Sequence, residues 1–174
     1  GNTWTQMASS PGSASISYIA VDPNNSNRLW VTKSGYSLND KVWYYNGTSW
    51  INLSGTLPNV PVTCIVYQTG TNDGLYIGTD IGVFHRDASM SDWSAFMSGL
   101  PNVVIGELEI SYSDSKIWAG TYGRGLWESP LFQQATYGCT DSLATNYNPN
   151  VTYSLTSLCI YPCVPAPTPY LENF

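Results

Sequence analysis

The chain has 174 residues, of which 43% are hydrophobic and only 10% charged, and it carries a net charge of −6. Its basic residues, Arg28, Lys33, Lys41, Arg86, Lys116 and Arg124, stand singly, which excludes the electrostatic footprint of a nucleic-acid binder, and no apolar run reaches the roughly 18 residues of a membrane span. Seven Trp and thirteen Tyr take the place of charge, a mix that suits extracellular β-proteins.

Taken in chain order, the opening "GNTW" reads as the interior of a longer sequence whose export signal lies upstream. A strand over Thr3–Met7 is followed by Ile16–Val21, Arg28–Thr32, Lys41–Tyr45 and Trp50–Leu53. The next four are Val62–Tyr67, Leu75–Gly78, Val83–Arg86 and Trp93–Phe96. Val104–Ile110, Lys116–Ala119 and Leu126–Glu128 start a third set, which lacks its fourth strand. Turn residues separate them, as in "DPNNSN" (22–27), "NGTS" (46–49) and the two "LPN" loops (57–59 and 100–102).

These strands form a repeat. "TSWINLSGTLPNVPV" (48–62) lies over "SDWSAFMSGLPNVVI" (91–105), so that Trp50 and Trp93 are 43 residues apart, as are Pro58 and Pro101; Trp4 precedes Trp50 by 46. Four short strands per unit of about 40–50 residues is the sequence signature of propeller blades. The expected fold is therefore all-β: a partial β-propeller of about three blades of four-stranded antiparallel sheets, plus a small disulfide-stapled module. Three blades fall short of the four to eight of a closed propeller, so residues 1–131 are expected to be the C-terminal part of a longer one. The Thr3–Met7 strand would finish the preceding blade.

Cysteines fall at 64, 139, 159 and 163, with a single histidine, His85. No metal-ligand spacing results, so no metal or cofactor is expected. The three clustered cysteines read as the small module (132–163) of a protein from an oxidising compartment. Residues 164–174 read as a Pro-rich linker.

The runs "GLYIGTDIGVFHRD", "LPNVVIGELEI" and "IWAGTYGRGLWES" resemble sortilin and BNR-type propeller repeats at the end of large secreted or cell-surface proteins of the Bacteroidota. The resemblance implies an extracellular location, type IX secretion and PKD-type neighbouring domains. "GCTDSLATNYNPN…SLCIY" (138–161) resembles a short module of the same proteins, which implies a Cys139–Cys159 disulfide. The acidic pair of that module is absent, since the chain reads "TYSLTSLC" there. Cys163 is left without an obvious partner, and pairing it with Cys64 would require the tail to reach the second blade.

The repeat places Tyr36, Tyr122 and Arg124 in equivalent turns between second and third strands, on one face with Asp80 and the "LPN" loops. Aromatic rings among Asn and Asp suit glycan stacking or protein contacts, so these four are the candidate binding residues. The tryptophans are read as packing between blades, Cys64 as a buried small hydrophobe, His85 as a surface residue, and Glu107 and Glu109 as lining an inner channel. Ser142 in "DSL" matches the O-glycosylation pattern of Bacteroidota secreted proteins. A sialidase-like site would need Arg28, Arg86 and Arg124 to converge, and a xyloglucanase-like one would need paired carboxylates, for which Asp22 and Asp80 are the candidates. Turn capping is the favoured role for both.

The expected function is non-catalytic binding or scaffolding, with glycans, neighbouring chains or the rest of its own longer chain as partners. The alternatives are a fragment of a propeller glycoside hydrolase or an accessory domain of a secreted protease.

Overall fold

Hairpin after hairpin, the strands pair with their neighbours in sequence, because each turn carries residues that close it locally. The computed structural model describes residues 2–7, 11–132 and 137–162. The chain divides into two compact units, residues 1–134 and 135–174.

In the first unit, β1 (Ile16–Asp22), β2 (Asn25–Lys33), β3 (Val42–Tyr45) and β4 (Trp50–Asn52) form an antiparallel sheet in that order. A second sheet repeats it with β5 (Val62–Gln68), β6 (Gly74–Thr79), β7 (Gly82–Arg86) and β8 (Ser94–Ala95). The third holds only β9 (Ile105–Ser111), β10 (Lys116–Thr121) and β11 (Gly125–Pro130), which leaves β11 as an edge. The fold is all-β and open, three consecutive blades of a partial propeller. Asn2–Met7 forms no strand among the described residues, contrary to the expectation for Thr3–Met7. A strand needs a hydrogen-bonding neighbour, and no described sheet pairs with this one.

The turns explain the repeat. Asp22 closes β1–β2 by accepting the Asn24 amide at 2.9 Å. The β6–β7 and β10–β11 hairpins share one device: the Thr79 hydroxyl donates to the Gly82 carbonyl at 2.8 Å and the Thr121 hydroxyl to the Gly125 carbonyl at 2.6 Å. Gly82 has φ +135°, and a Cβ there would sit 2.9 Å from the Met97 sulfur. The backbone angle therefore favours glycine, while the flexible end of Met97 could give way.

The sheets pack side by side through their first strands, β1 against β5 and β5 against β9. Side-chain hydroxyls tie these strands together: Ser17 donates to the Val62 carbonyl at 2.6 Å and Thr63 to the Ile105 carbonyl at 2.5 Å. Tyr18 reaches from the first sheet to Glu107 of the third at 2.9 Å, a bond that pushes its phenol up to about 12. Trp30, Val42, Leu57, Val62, Ile65, Leu75, Ile77 and Trp93 form the core between the first two sheets. Cys64 is a buried free thiol pushed up to about 11 by burial, in keeping with a packing role. The tryptophans are less uniform than expected. Trp30 and Trp93 are buried, whereas Trp118 is exposed because no sheet covers the far side of the third one and Trp127, on the opposite face beside Ala119, because it lies on the edge strand β11.

His85 overturns its reading as a surface residue: it is 1% exposed. In β7 it faces an aromatic cluster, stacked on Phe132 with ring centres 4.2 Å apart and lying 4.7 Å from Tyr76.

In the second unit, β12 (Tyr137–Gly138) pairs in parallel with β13 (Tyr153–Ser154), and Cys139 is disulfide-bonded to Cys159 across 20 residues. Cys163 and the segment 164–174 lie outside the described residues. The few buried side chains here make the crosslink a main source of order. Replacing both cysteines with Ala should remove about 3 kcal/mol from this unit. The loss should appear as faster hydrogen exchange at the Thr145, Asn148 and Leu155 amides, which hydrogen-bond within it.

Candidate functional site

The hairpin topology sends all turns between second and third strands, and all loops from fourth strands to the next first strand, to one rim of the sheets. Contacts along that rim bear this out. The Tyr122 amide donates to Val104 of the preceding loop at 2.9 Å, and the Ser34 amide to Ser15 at 3.1 Å. Asp40 holds the rim of the first sheet, accepting the Ser13 and Ala14 amides and the Trp43 indole N–H. Burial opposes its charge, yet these bonds hold its carboxyl below the usual range. Lys33 and Lys41 lie fully buried beneath, each donating to a backbone carbonyl, of Ala14 at 2.7 Å and of Gly35 at 2.6 Å.

Two of the four candidate residues meet. The Tyr36 hydroxyl donates to Asp80 Oδ2 at 3.3 Å, bridging the first and second sheets, while the Tyr36 ring stays 68% exposed. Leu38, which the sequence did not single out, stands exposed in the same loop. Tyr122 and Arg124 project from the equivalent turn of the third sheet, where Tyr122 is 82% exposed. Among the described residues their side chains have no hydrogen-bond or ion-pair partner. The Arg124 carbonyl accepts the Trp127 indole N–H at 2.9 Å, which sets the turn. The rim thus offers three exposed apolar or aromatic side chains, a carboxylate and a guanidinium.

The opposite rim holds a different cluster. Arg28 donates to Asp22 at 2.9 Å, to Tyr44 at 2.8 Å and to Asp73, and lies 5.4 Å from the Trp30 ring centre. Burial opposes the guanidinium charge, but the bonds to Tyr44 and Asp73 outweigh it and raise its pKa. Asp22 is itself buried and takes part in a turn, the structural role favoured for it. Arg28 and Arg124 therefore stand at opposite rims, as do Asp22 and Asp80. Glu107 and Glu109 lie on β9, Glu107 bound to Tyr18. Ser142 is exposed, in a turn closed by the Asp141 carboxylate accepting the Leu143 amide at 2.9 Å.

No protein-family model matches the chain, and no curated protein does. Solved structures do. The extracellular domain of a one component system from B. thetaiotaomicron aligns with 72% of this chain at 16% identity and a TM-score of 0.54. The extracellular domain of a hybrid two component system from the same organism aligns with 76% at 20% identity and a TM-score of 0.50. Another such hybrid-system domain aligns with 79% at 15% identity and a TM-score of 0.52. The chain spans only 16%, 17% and 20% of those three chains. At these identities the likeness concerns the fold alone: this chain shares the fold of a part of those extracellular domains.

Proposed function

We propose that the chain is a non-catalytic, glycan-binding segment of an extracellular propeller, and that its ligand face is the rim carrying Tyr36, Asp80, Tyr122 and Arg124. The observation that carries this reading is the Tyr36–Asp80 pair. A carboxylate fixes the edge of an aromatic ring whose face stays open, the arrangement in which a sugar stacks on the ring and hydrogen-bonds beside it. The extracellular setting is supported by the disulfide, the low charge and the extracellular origin of the similar folds. The separation of Asp22 from Asp80, and of Arg28 from Arg124, favours binding over hydrolysis, since either hydrolase site needs those groups to converge.

A glycan array probed with the whole chain should give hits that weaken about tenfold or more in Tyr36→Ala, the loss of one stacking contact. An array without hits, or hits indifferent to both Tyr36→Ala and Tyr122→Ala, would sink the reading.

A further inference from the structure

The turn between β3 and β4 (residues 46–49) gathers more donors on one oxygen than its closure needs. The backbone already closes it, since the Asn46 amide donates to the Ser49 carbonyl at 3.2 Å and the Tyr45 hydroxyl to the Gly47 carbonyl at 3.0 Å. Asn46 Oδ1 nevertheless accepts the Thr48 amide at 3.0 Å, the Ser49 amide at 2.9 Å and the Thr48 hydroxyl at 2.9 Å. The Ser49 hydroxyl stands 3.5 Å away. One such bond suffices for an Asx turn. Three of them, at the distances that stabilise an oxyanion, polarise the side-chain carbonyl and leave its carbon open to a nucleophile.

The nucleophile is the next atom along the chain that can reach it. Gly47 has no side chain to shield its nitrogen, and among the described residues its amide donates to no acceptor. Asn46 is exposed, so hydroxide and water reach the turn. Attack within one turn avoids the entropy of bringing two molecules together.

We propose that Asn46 is a self-modification site, at which the Gly47 nitrogen closes a succinimide and Thr48 and Ser49 serve as the oxyanion hole. Hydroxide takes the Gly47 amide proton as its nitrogen bonds to Asn46 Cγ. Negative charge collects on Oδ1, and the C–N bond to the side-chain nitrogen then breaks, releasing ammonia. Water opens the ring at either carbonyl, giving aspartate or isoaspartate. The net change is amide plus water to carboxylate plus ammonium. Each product adds a negative charge to the turn, and isoaspartate also lengthens the backbone by one carbon beside the Tyr45–Trp50 pair, which loosens β4.

The chain holds its own control. Asp73–Gly74 is the other place where an acid or amide side chain precedes glycine. There the carboxylate is tied to the Arg28 guanidinium and accepts the Tyr67 hydroxyl, and the Gly74 amide is committed to the Thr71 hydroxyl at 2.9 Å. A charged carboxylate is a poor electrophile, and a hydrogen-bonded amide is a poor nucleophile. The fold therefore promotes the reaction at Asn46 and suppresses its counterpart at Asp73.

Peptide mapping of the whole chain, incubated in mildly alkaline buffer either folded or unfolded in guanidinium, tests this. Asn46 should convert at least about tenfold faster in the folded chain, because its donors are already in place. Asp73 should yield isoaspartate only in the unfolded one. Thr48→Val keeps the amide and removes the hydroxyl, and should slow conversion of the folded chain about tenfold, the worth of one hydrogen bond. Thr48→Ser should restore the rate. An Asn46 that stays intact in the folded chain, or converts there no faster than in guanidinium, overturns the proposal whatever the variants do. So does a folded Thr48→Val chain that reacts as fast as the parent.

Discussion

Trp30→Ala is expected to destabilise the first unit by about 3–5 kcal/mol, the cost of removing a buried tryptophan from a packed core. Trp30 is 1% exposed and lies between Tyr44 of its own sheet and Tyr67 of the next, with ring centres 5.1 and 4.9 Å away and interplanar angles of 20° and 18°. The truncation therefore removes an inter-sheet stack as well as area, and it takes away the ring beneath the Arg28 guanidinium. Trp118→Ala, at the equivalent and exposed position of the third sheet, should cost under about 1 kcal/mol. Urea unfolding of both variants, followed by tyrosine and tryptophan fluorescence, measures the difference. Equal effects would mean that the stack between the first two sheets is not a major source of stability.

The second large effect concerns pH. Burial pulls His85 down to about 4 from its ordinary 6.5, against a weak opposing influence of Asp87. Neither ring nitrogen has a hydrogen-bond partner among the described residues, so the imidazole is held neutral in an aromatic cage. The unfolded chain then binds the proton first. Stability is full above pH 6.5, falls as pH drops from 6.5 toward 4, and loses on the order of 2–3 kcal/mol across that window. His85→Phe, which suits the cluster of Tyr76, Phe96 and Phe132, should abolish this slope. The carboxyls of Asp40, Asp87 and Asp92 are held below their ordinary 3.8 by the hydrogen bonds they accept, so the stability they add is lost only at still lower pH. That lower step should survive in His85→Phe. A urea midpoint of the parent chain that stays flat from pH 7 to pH 4.5 would contradict the neutral, buried assignment.

The architecture was legible where it is written twice. The 43-residue recurrence of Trp and "LPN" located two complete sheets, because the same packing problem recurs at each blade interface and is solved with the same residue types. The first turn was legible through Asp22, whose short carboxylate accepts a nearby backbone amide. Burial of polar side chains was not. His85 read as a surface residue, yet in β7 the pleat turns it inward, and Lys33 and Lys41 are buried as well. The two lysines are satisfied by backbone carbonyls, Lys33 by that of Ala14 and Lys41 by that of Gly35, and the histidine is caged by aromatic rings. The candidate rim was legible as a set of equivalent turns. The Tyr36–Asp80 bond was not, since it joins residues 44 apart from different sheets and depends on how adjacent blades are stacked. Leu38 was missed because a lone apolar residue in a loop carries no periodic signal.

The bond from Tyr18 to Glu107 changes how mechanical and mutational damage should spread. An array whose repeats touch only their neighbours comes apart from its ends, and a lesion in one repeat is felt one repeat away. Here the inner edge skips a sheet: the first and third share a charge-assisted hydrogen bond across the second. The inner edge therefore couples sheets that are not neighbours, and a change at Tyr18 or Glu107 is felt two blades away rather than one.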